Sequence, residues 1–208
     1  MREFSPNLDV LPDPQRRLWA ELGATPEPFT LYGGTALALR FGHRISVDFD
    51  FFSPQRFDPE ALSKSIPYLV GSECVHMAPN TLTCRVDRGG PILVSFFGGL
   101  TFQQAAPREK ARGASLYVAS TLDCAGSKMS VIQKRAEVKD YLDIDVLLAN
   151  GIDLSTALRA ARTMYGEGYN PLISLKALSF FGDVPELPTD VRERLLAAVK
   201  AVDVGGAT

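Results

Sequence analysis

Asp48 and Asp50 stand two positions apart in "SVDFDFF", and Gly33-Gly34 open the run that leads to them, "LYGGTALALRFGHRIS". Two carboxylates so spaced on a strand project from one face, with Cα atoms roughly 6.5–7 Å apart, and converge on one or two divalent cations. Mg²⁺ suits such a site, because it binds through few carboxylates, retained waters and the phosphates of a substrate. A pair of cations about 3.5–4 Å apart would serve an attacking oxygen and a leaving pyrophosphate. Upstream, a strand followed by Gly-Gly and a helix start is a recipe for holding phosphate. Glycine lets the backbone approach an anion, and the unpaired N–H groups of the helix start point at it. Each half also has a plainer reading: a sharp strand-to-helix turn, and a solvated strand face. The two halves together favour the chemical reading, since two like charges on a Phe-rich strand need a cation or an arginine to offset them. Arg44, in the turn before the strand, could neutralise the pair or bind phosphate, whereas His43 reads as a turn residue.

The elements that must position these residues follow from spacing. "PDPQRRLWAELGA" reads as a helix with Leu18, Trp19 and Leu22 on one face and Gly23 as its stop. "PEPFTLY" enters a buried strand, and "GGTALALRFG" is a short helix with Thr35 as cap and Gly42 as end. "ISVDFDFF" alternates, predicting a strand over 45–52 with Val47, Phe49 and Phe51 on one face and the two aspartates with Phe52 on the other. "FDPEALSKSIPYL" is a helix capped by Asp58, and "NTLTCRVDRGGPILVSFFGG" is a hairpin turning at Arg88–Pro91. After the strand in "SLYVAS" the spacing turns helical over about 122–134, 137–149, 154–164, 171–181 and 189–202, leaving only a polar "GGAT" tail. Strands first and helices after predict an α+β protein, with an α/β core over 1–120 and a helical region over 121–208.

Composition narrows the classes. At 208 residues, 46% hydrophobic and 22% charged, the chain is ordinary globular material. A net charge of −2 argues against a surface coated with basic residues for nucleic acid, while leaving room for a local basic groove. Cys74, Cys84 and Cys124 form no CxxC pair, and with only His43 and His76 beside them a zinc site is not expected. Scattered thiols suit a reducing cytosol. "MREFSPNLDVLPDPQ" has no apolar leader core, and no apolar run reaches membrane-spanning length, so a soluble cytoplasmic protein without membrane association is expected.

"GGTALALRFGHRISVDFDFF" resembles the signature of the AbiEii/AbiGii-type nucleotidyltransferases, a branch of the DNA polymerase β-like superfamily. The superfamily pattern is a Gly-Gly or Gly-Ser step, a short helix and Asp-x-Asp. A second block, "SKMSVIQKRAEVKDYLDIDVLL" at 127–148, resembles the family's later Lys…Arg…Lys-Asp…Asp helical motif. The resemblance covers roughly residues 29–150 and implies a polymerase β-like nucleotidyltransferase core, a mixed sheet with flanking helices, before the helical C-terminal part. It implies transfer of a nucleoside monophosphate from an NTP to an RNA (tRNA among them), protein or small-molecule acceptor. It further implies Mg²⁺, with Mn²⁺ as a substitute, and an antitoxin protein as partner in a toxin–antitoxin or phage-defence pair.

Carried onto this sequence, the resemblance assigns Gly33, Gly34 and Thr35 to the triphosphate and Asp48 and Asp50 to the metal. Lys128 would reach a phosphate as a point charge and join the two aspartates in catalysis. Arg44, Arg135, Lys139, Asp140 and Asp143 would contact nucleotide or acceptor. Asp140 and Asp143, three apart, share a helix face, and Arg135 and Lys139 share a neighbouring one. Read without the family, Lys128 is a solvated helix lysine and the other four are ion-paired surface charges. One departure stands out: related enzymes carry a third carboxylate on a later strand, and "ILVSFFGG" offers Ser95 there. Asp87, the nearest acid, falls at the hairpin turn, at the wrong end of the sheet. A nucleotide-binding protein without chemistry and a protein-interaction module are therefore the alternatives to an active transferase.

Overall fold

The structure, a computed structural model, describes residues 2–202, so the "GGAT" tail lies outside the described residues. The described residues divide into two compact units: those up to Thr101 with Arg108–Ala119, and Phe102–Pro107 with those from Ser120 on.

In the first unit, β1 (Glu3–Phe4) and α1 (Asp13–Trp19) precede β2 (Thr30–Tyr32), α2 (Gly33–Phe41) and β3 (Phe49–Phe52). Then come α3 (Pro59–Ser65), β4 (Glu73–Ala78), β5 (Thr81–Asp87), β6 (Pro91–Phe97), β7 (Glu109–Ala111) and β8 (Leu116–Val118). Among the described residues the strands form one mixed sheet in the order β1-β7-β8-β2-β3-β6-β5-β4. β3 runs antiparallel to β2 and parallel to β6, which places it near the middle of the sheet. One face of its pleat is core: Phe49 and Phe51 are fully buried, and Phe51 stacks on Phe96 with ring centroids 5.1 Å apart. Each such ring removed from water is worth about 1.5–3 kcal/mol. The other face carries Asp50 and Phe52.

The helix between β2 and β3 buries Ala36 to Leu39, all at 0% exposure. It ends at Gly42, whose φ of +66° is a left-handed stop that a β-carbon disfavours. Asp58 caps α3 by accepting from the Glu60 N–H at 3.0 Å, ahead of Pro59. β1, β4 and β7 had no sequence signal, for a physical reason. β1 and β7 span two or three residues, and β4 is an edge strand open on both faces, so none displays a buried/exposed alternation.

The second unit holds α4 (Thr121–Val131), α5 (Val138–Ala149), α6 (Leu154–Tyr165), α7 (Pro171–Ala177) and α8 (Thr189–Ala201). Ser120 caps α4 through the Asp123 N–H at 3.0 Å. Asp123, itself fully buried, accepts from the N–H groups of Ala105 and Ala106 at 2.8 and 3.0 Å, and so fastens the 102–107 segment to these helices. Gly126 lets α4 and α6 close up, because a β-carbon there would stand 2.9 Å from the Ala161 nitrogen. Arg194 of α8 grips both carboxylate oxygens of Asp145 on α5 at 2.7 Å each.

Candidate active site

The first unit gathers the glycine turn and the aspartates. Across the β2–β3 ladder Tyr32 pairs with Asp50, so the residue that ends β2 hands the chain to Gly33 directly opposite the carboxylate. Gly33 has φ +75°, and a β-carbon built on it would sit 3.4 Å from Asp50 Oδ2. The backbone angle favours glycine, while a β-carbon would meet the carboxylate only at ordinary contact distance. The Tyr32 side chain does not cap α2, whose first N–H groups belong to Gly33, Gly34 and Thr35. The start of a nine-residue helix beside a carboxylate can hold a phosphate whose charge is shared with a bound cation.

Two expectations are corrected here. Thr35 does not cap the helix. Its hydroxyl meets the Ser46 hydroxyl at 2.7 Å and donates to the Asp48 carbonyl, so it ties the start of α2 to the loop carrying the first aspartate. The strand expected over 45–52 is confined to Phe49–Phe52, and Asp48 stands one residue ahead of it. Residues 45–48 form a tethered loop instead. The Ser46 N–H donates to Val10 O at 3.0 Å, and the Gln15 side chain donates to Val47 O at 3.0 Å. Held this way, Val47 is 48% exposed rather than facing the core. Gln15 and Ser46 are the positioning residues that sequence reasoning missed. A signal existed: Gln15 lies three and four residues before Leu18 and Trp19, a polar side chain on the buried face of α1. Arg44 is partly exposed in the same loop, and its guanidinium donates to Ile45 O at 3.1 Å.

Ser95 is the direct partner of Asp50 on β6, and Thr83 of β5 is the direct partner of Ser95. Paired residues share a face, so Asp50, Ser95 and Thr83 form one polar row, closed by a Thr83-to-Ser95 hydroxyl bond at 3.3 Å. Asp87 pairs with Pro91, four residues along β6 from Ser95, about 13 Å away at ~3.3 Å per residue. Its carboxylate accepts from the N–H groups of Gly89 and Gly90 at 2.8 and 3.3 Å, which makes it a turn former. No cluster of three His, Cys, Asp or Glu side chains gathers among the described residues. Asp50 with the Ser95 hydroxyl alongside, and Asp48 one residue ahead of the strand, are oxygen donors of the kind that Mg²⁺ takes, with substrate phosphates and water completing its shell.

The second block lies in the second unit. Lys128 is buried rather than solvated, 5% exposed, and its ammonium meets Asp140 Oδ1 at 2.7 Å and Asp143 Oδ2 at 2.5 Å. Arg135 adds a fork to Asp140 at 2.9 and 3.2 Å. Two cations against two fully buried carboxylates make a neutral set, the condition under which burying such charges is tolerable. Lys139 stands apart, paired at the surface with Glu137 at 2.8 Å. Arg135 also reaches Glu137, at 3.2 Å.

A central mixed sheet, a Gly-Gly turn into a short helix and an Asp-x-Asp beside it define the polymerase β-like nucleotidyltransferase class. The crystal structure of a candidate nucleotidyltransferase of H. pylori superimposes with a TM-score of 0.55 at 14% identity, covering 88% of this chain and 89% of that one. The nucleotidyltransferase toxin MenT4 of Mycobacterium tuberculosis gives 0.57 at 17% identity, covering 92% and 83%. In sequence, an uncharacterised protein of Aquifex aeolicus is 32% identical over 161 residues, 76% of each chain. Residues 17–204 match the family described as "Nucleotidyl transferase AbiEii toxin, Type IV TA system", and the chain belongs to that family.

Proposed function

We propose that this chain is an active nucleotidyltransferase toxin that transfers a nucleoside monophosphate from an NTP to a hydroxyl of an RNA or protein acceptor. The observation that carries the reading is the nearness of Gly33 to Asp50, which supports a shared site for phosphate and cation. Gly33 and Gly34 bring the backbone to the triphosphate, and the start of α2 supplies N–H donors and the positive end of its dipole. Asp48 and Asp50 would hold Mg²⁺. When bound, the ion neutralises phosphate charge and orients the pyrophosphate leaving group. Thr35, Ser46 and Gln15 hold the Asp48 loop so that its carboxylate is preset, and Arg44 adds positive charge beside the site. Lys128, held by Asp140 and Asp143 with Arg135 steadying Asp140, is the buried cation of the family's later motif.

Ser95 favours a second reading, a nucleotide-binding protein without chemistry, because a hydroxyl replaces the charge that a third carboxylate would contribute. Incubation with each labelled NTP, Mg²⁺ and total tRNA or protein decides between them. Label transfer that is lost in Asp48→Ala and Asp50→Ala supports the first reading. Mg²⁺-dependent NTP binding without transfer supports the second, and absence of any nucleotide binding overturns both. An antitoxin encoded with the chain would relieve its toxicity on co-expression.

A further inference from the structure

We infer that Cys74 and Cys84 form a dithiol site that closes into a cross-strand disulfide on exchange with a low-molecular-weight disulfide. The two residues are register partners on the antiparallel strands β4 and β5. Directly opposed residues in such a ladder have Cα atoms about 4.5 or 5.5 Å apart, whichever type of pair they form. Both values fall inside the ~4.4–6.8 Å span that a disulfide bridges, and opposed side chains leave the same face of the ladder. β4 is the edge strand of the sheet and carries a register shift between Cys74 and His76, so it adapts locally without disturbing the centre.

The surroundings divide the labour between the thiols. Cys74 is exposed, whereas Cys84 is buried. Burial pushes the Cys84 thiol up, against a hydrogen bond from Ser72 that pulls it down, and a charged Cys74 raises it further. Both cysteines line one surface cavity of about 270 Å³ together with Lys64, Leu69, Gly71 and Ser72. A reagent entering there meets the exposed sulfur first.

The chemistry balances without another reactant. The Cys74 thiolate attacks one sulfur of the small disulfide, expels one small thiolate and leaves a mixed disulfide on Cys74. Cys84 gives up its proton and attacks the Cys74 sulfur, the second small thiolate leaves, and the Cys74–Cys84 bond forms. Two protein thiols lose two electrons, and the reagent is reduced to two thiols that take up the two protons. In a reducing compartment the pair stays a dithiol, and it closes when the thiol pool turns oxidising. This site is independent of the nucleotide chemistry proposed above.

Oxidised glutathione is the probe, with denaturing alkylation and peptide mapping as readout. The reduced chain presents three alkylatable thiols. After oxidation only Cys124 is expected to react, the peptides bearing Cys74 and Cys84 are joined with loss of two hydrogens, and dithiothreitol restores all three. Cys84→Ala is expected to stop at a stable glutathione adduct on Cys74. Cys74→Ser, at an exposed position, is expected to keep Cys84 and Cys124 free. Retention of three thiols in the oxidised wild-type chain, or a bridge that uses Cys124 or a second chain, overturns the inference.

Discussion

Replacing Thr35 by valine removes one hydroxyl while keeping the β-branched shape, and the structure gives the consequence. Thr35 is 3% exposed, and its oxygen serves both the Ser46 hydroxyl and the Asp48 carbonyl. The Ser46 hydroxyl can rotate, so the stranded group is the carbonyl, and an unsatisfied buried acceptor costs ~1–3 kcal/mol. At ~2–4 °C per kcal/mol for a chain of this size, Tm falls by ~2–12 °C. Release of the loop lets the Asp48 carboxylate wander, and a displacement of ~1 Å at a reacting centre costs ~100-fold in rate. Thr35→Ser keeps the hydroxyl and loses a buried methyl, at ~0.8 kcal/mol. Thermal melts and labelled-NTP transfer should therefore show the serine variant slightly less stable but active, and the valine variant both less stable and slow. A valine variant that melts with the wild type yet loses nucleotide affinity would refute the positioning role and make Thr35 a direct phosphate contact.

Other outcomes follow from the same geometry. Lys128→Met leaves Asp140 and Asp143 buried with Arg135 as the remaining cation of the set, at a cost of ~3–5 kcal/mol. Adding Asp143→Asn should recover much of that loss in a denaturant melt, whereas additive losses would show that the cluster is not coupled. Ser95→Asp sets a second charge directly opposite Asp50, so Tm should fall without metal and recover with Mg²⁺; a melt indifferent to Mg²⁺ would show that Ser95 does not border a metal site. The Arg88 guanidinium, bonded to Glu21 at 2.6 and 2.7 Å, holds that carboxyl below its ordinary 4.5. A depressed acid contributes stability above its unfolded value and loses it as pH falls, so the Tm gap between wild type and Glu21→Gln should close below about pH 4.5. A gap that persists in acid would remove the ion pair as its cause.

The turn at Gly33 and the place of Asp50 on a strand were legible because their signals are local: a turn that favours glycine and an alternating run. The roles of Thr35 and Gln15 were not, since their hydrogen bonds span 13 and 32 residues and depend on how α1 and the Asp48 loop meet. Lys128 illustrates the same limit. Its pattern reads as a surface helix lysine until the carboxylates 12 and 15 positions on fold over it. The alternation over 45–52 misled because Ile45 and Val47 are exposed apolar residues, and a period-two pattern does not distinguish a strand from a tethered loop. The order of the sheet was beyond reach, because β1 and β7 are too short to carry any period.

The central claim is that the glycine turn and the aspartates form one Mg²⁺–triphosphate site. Calorimetric titration of NTP, with and without Mg²⁺, into wild type and Asp50→Asn tests it most directly, because the amide keeps the shape and removes the charge. Saturable binding that requires Mg²⁺ in the wild type and is lost in Asp50→Asn is the predicted result. Equal binding by both chains, or binding by the wild type that is indifferent to Mg²⁺, would contradict it.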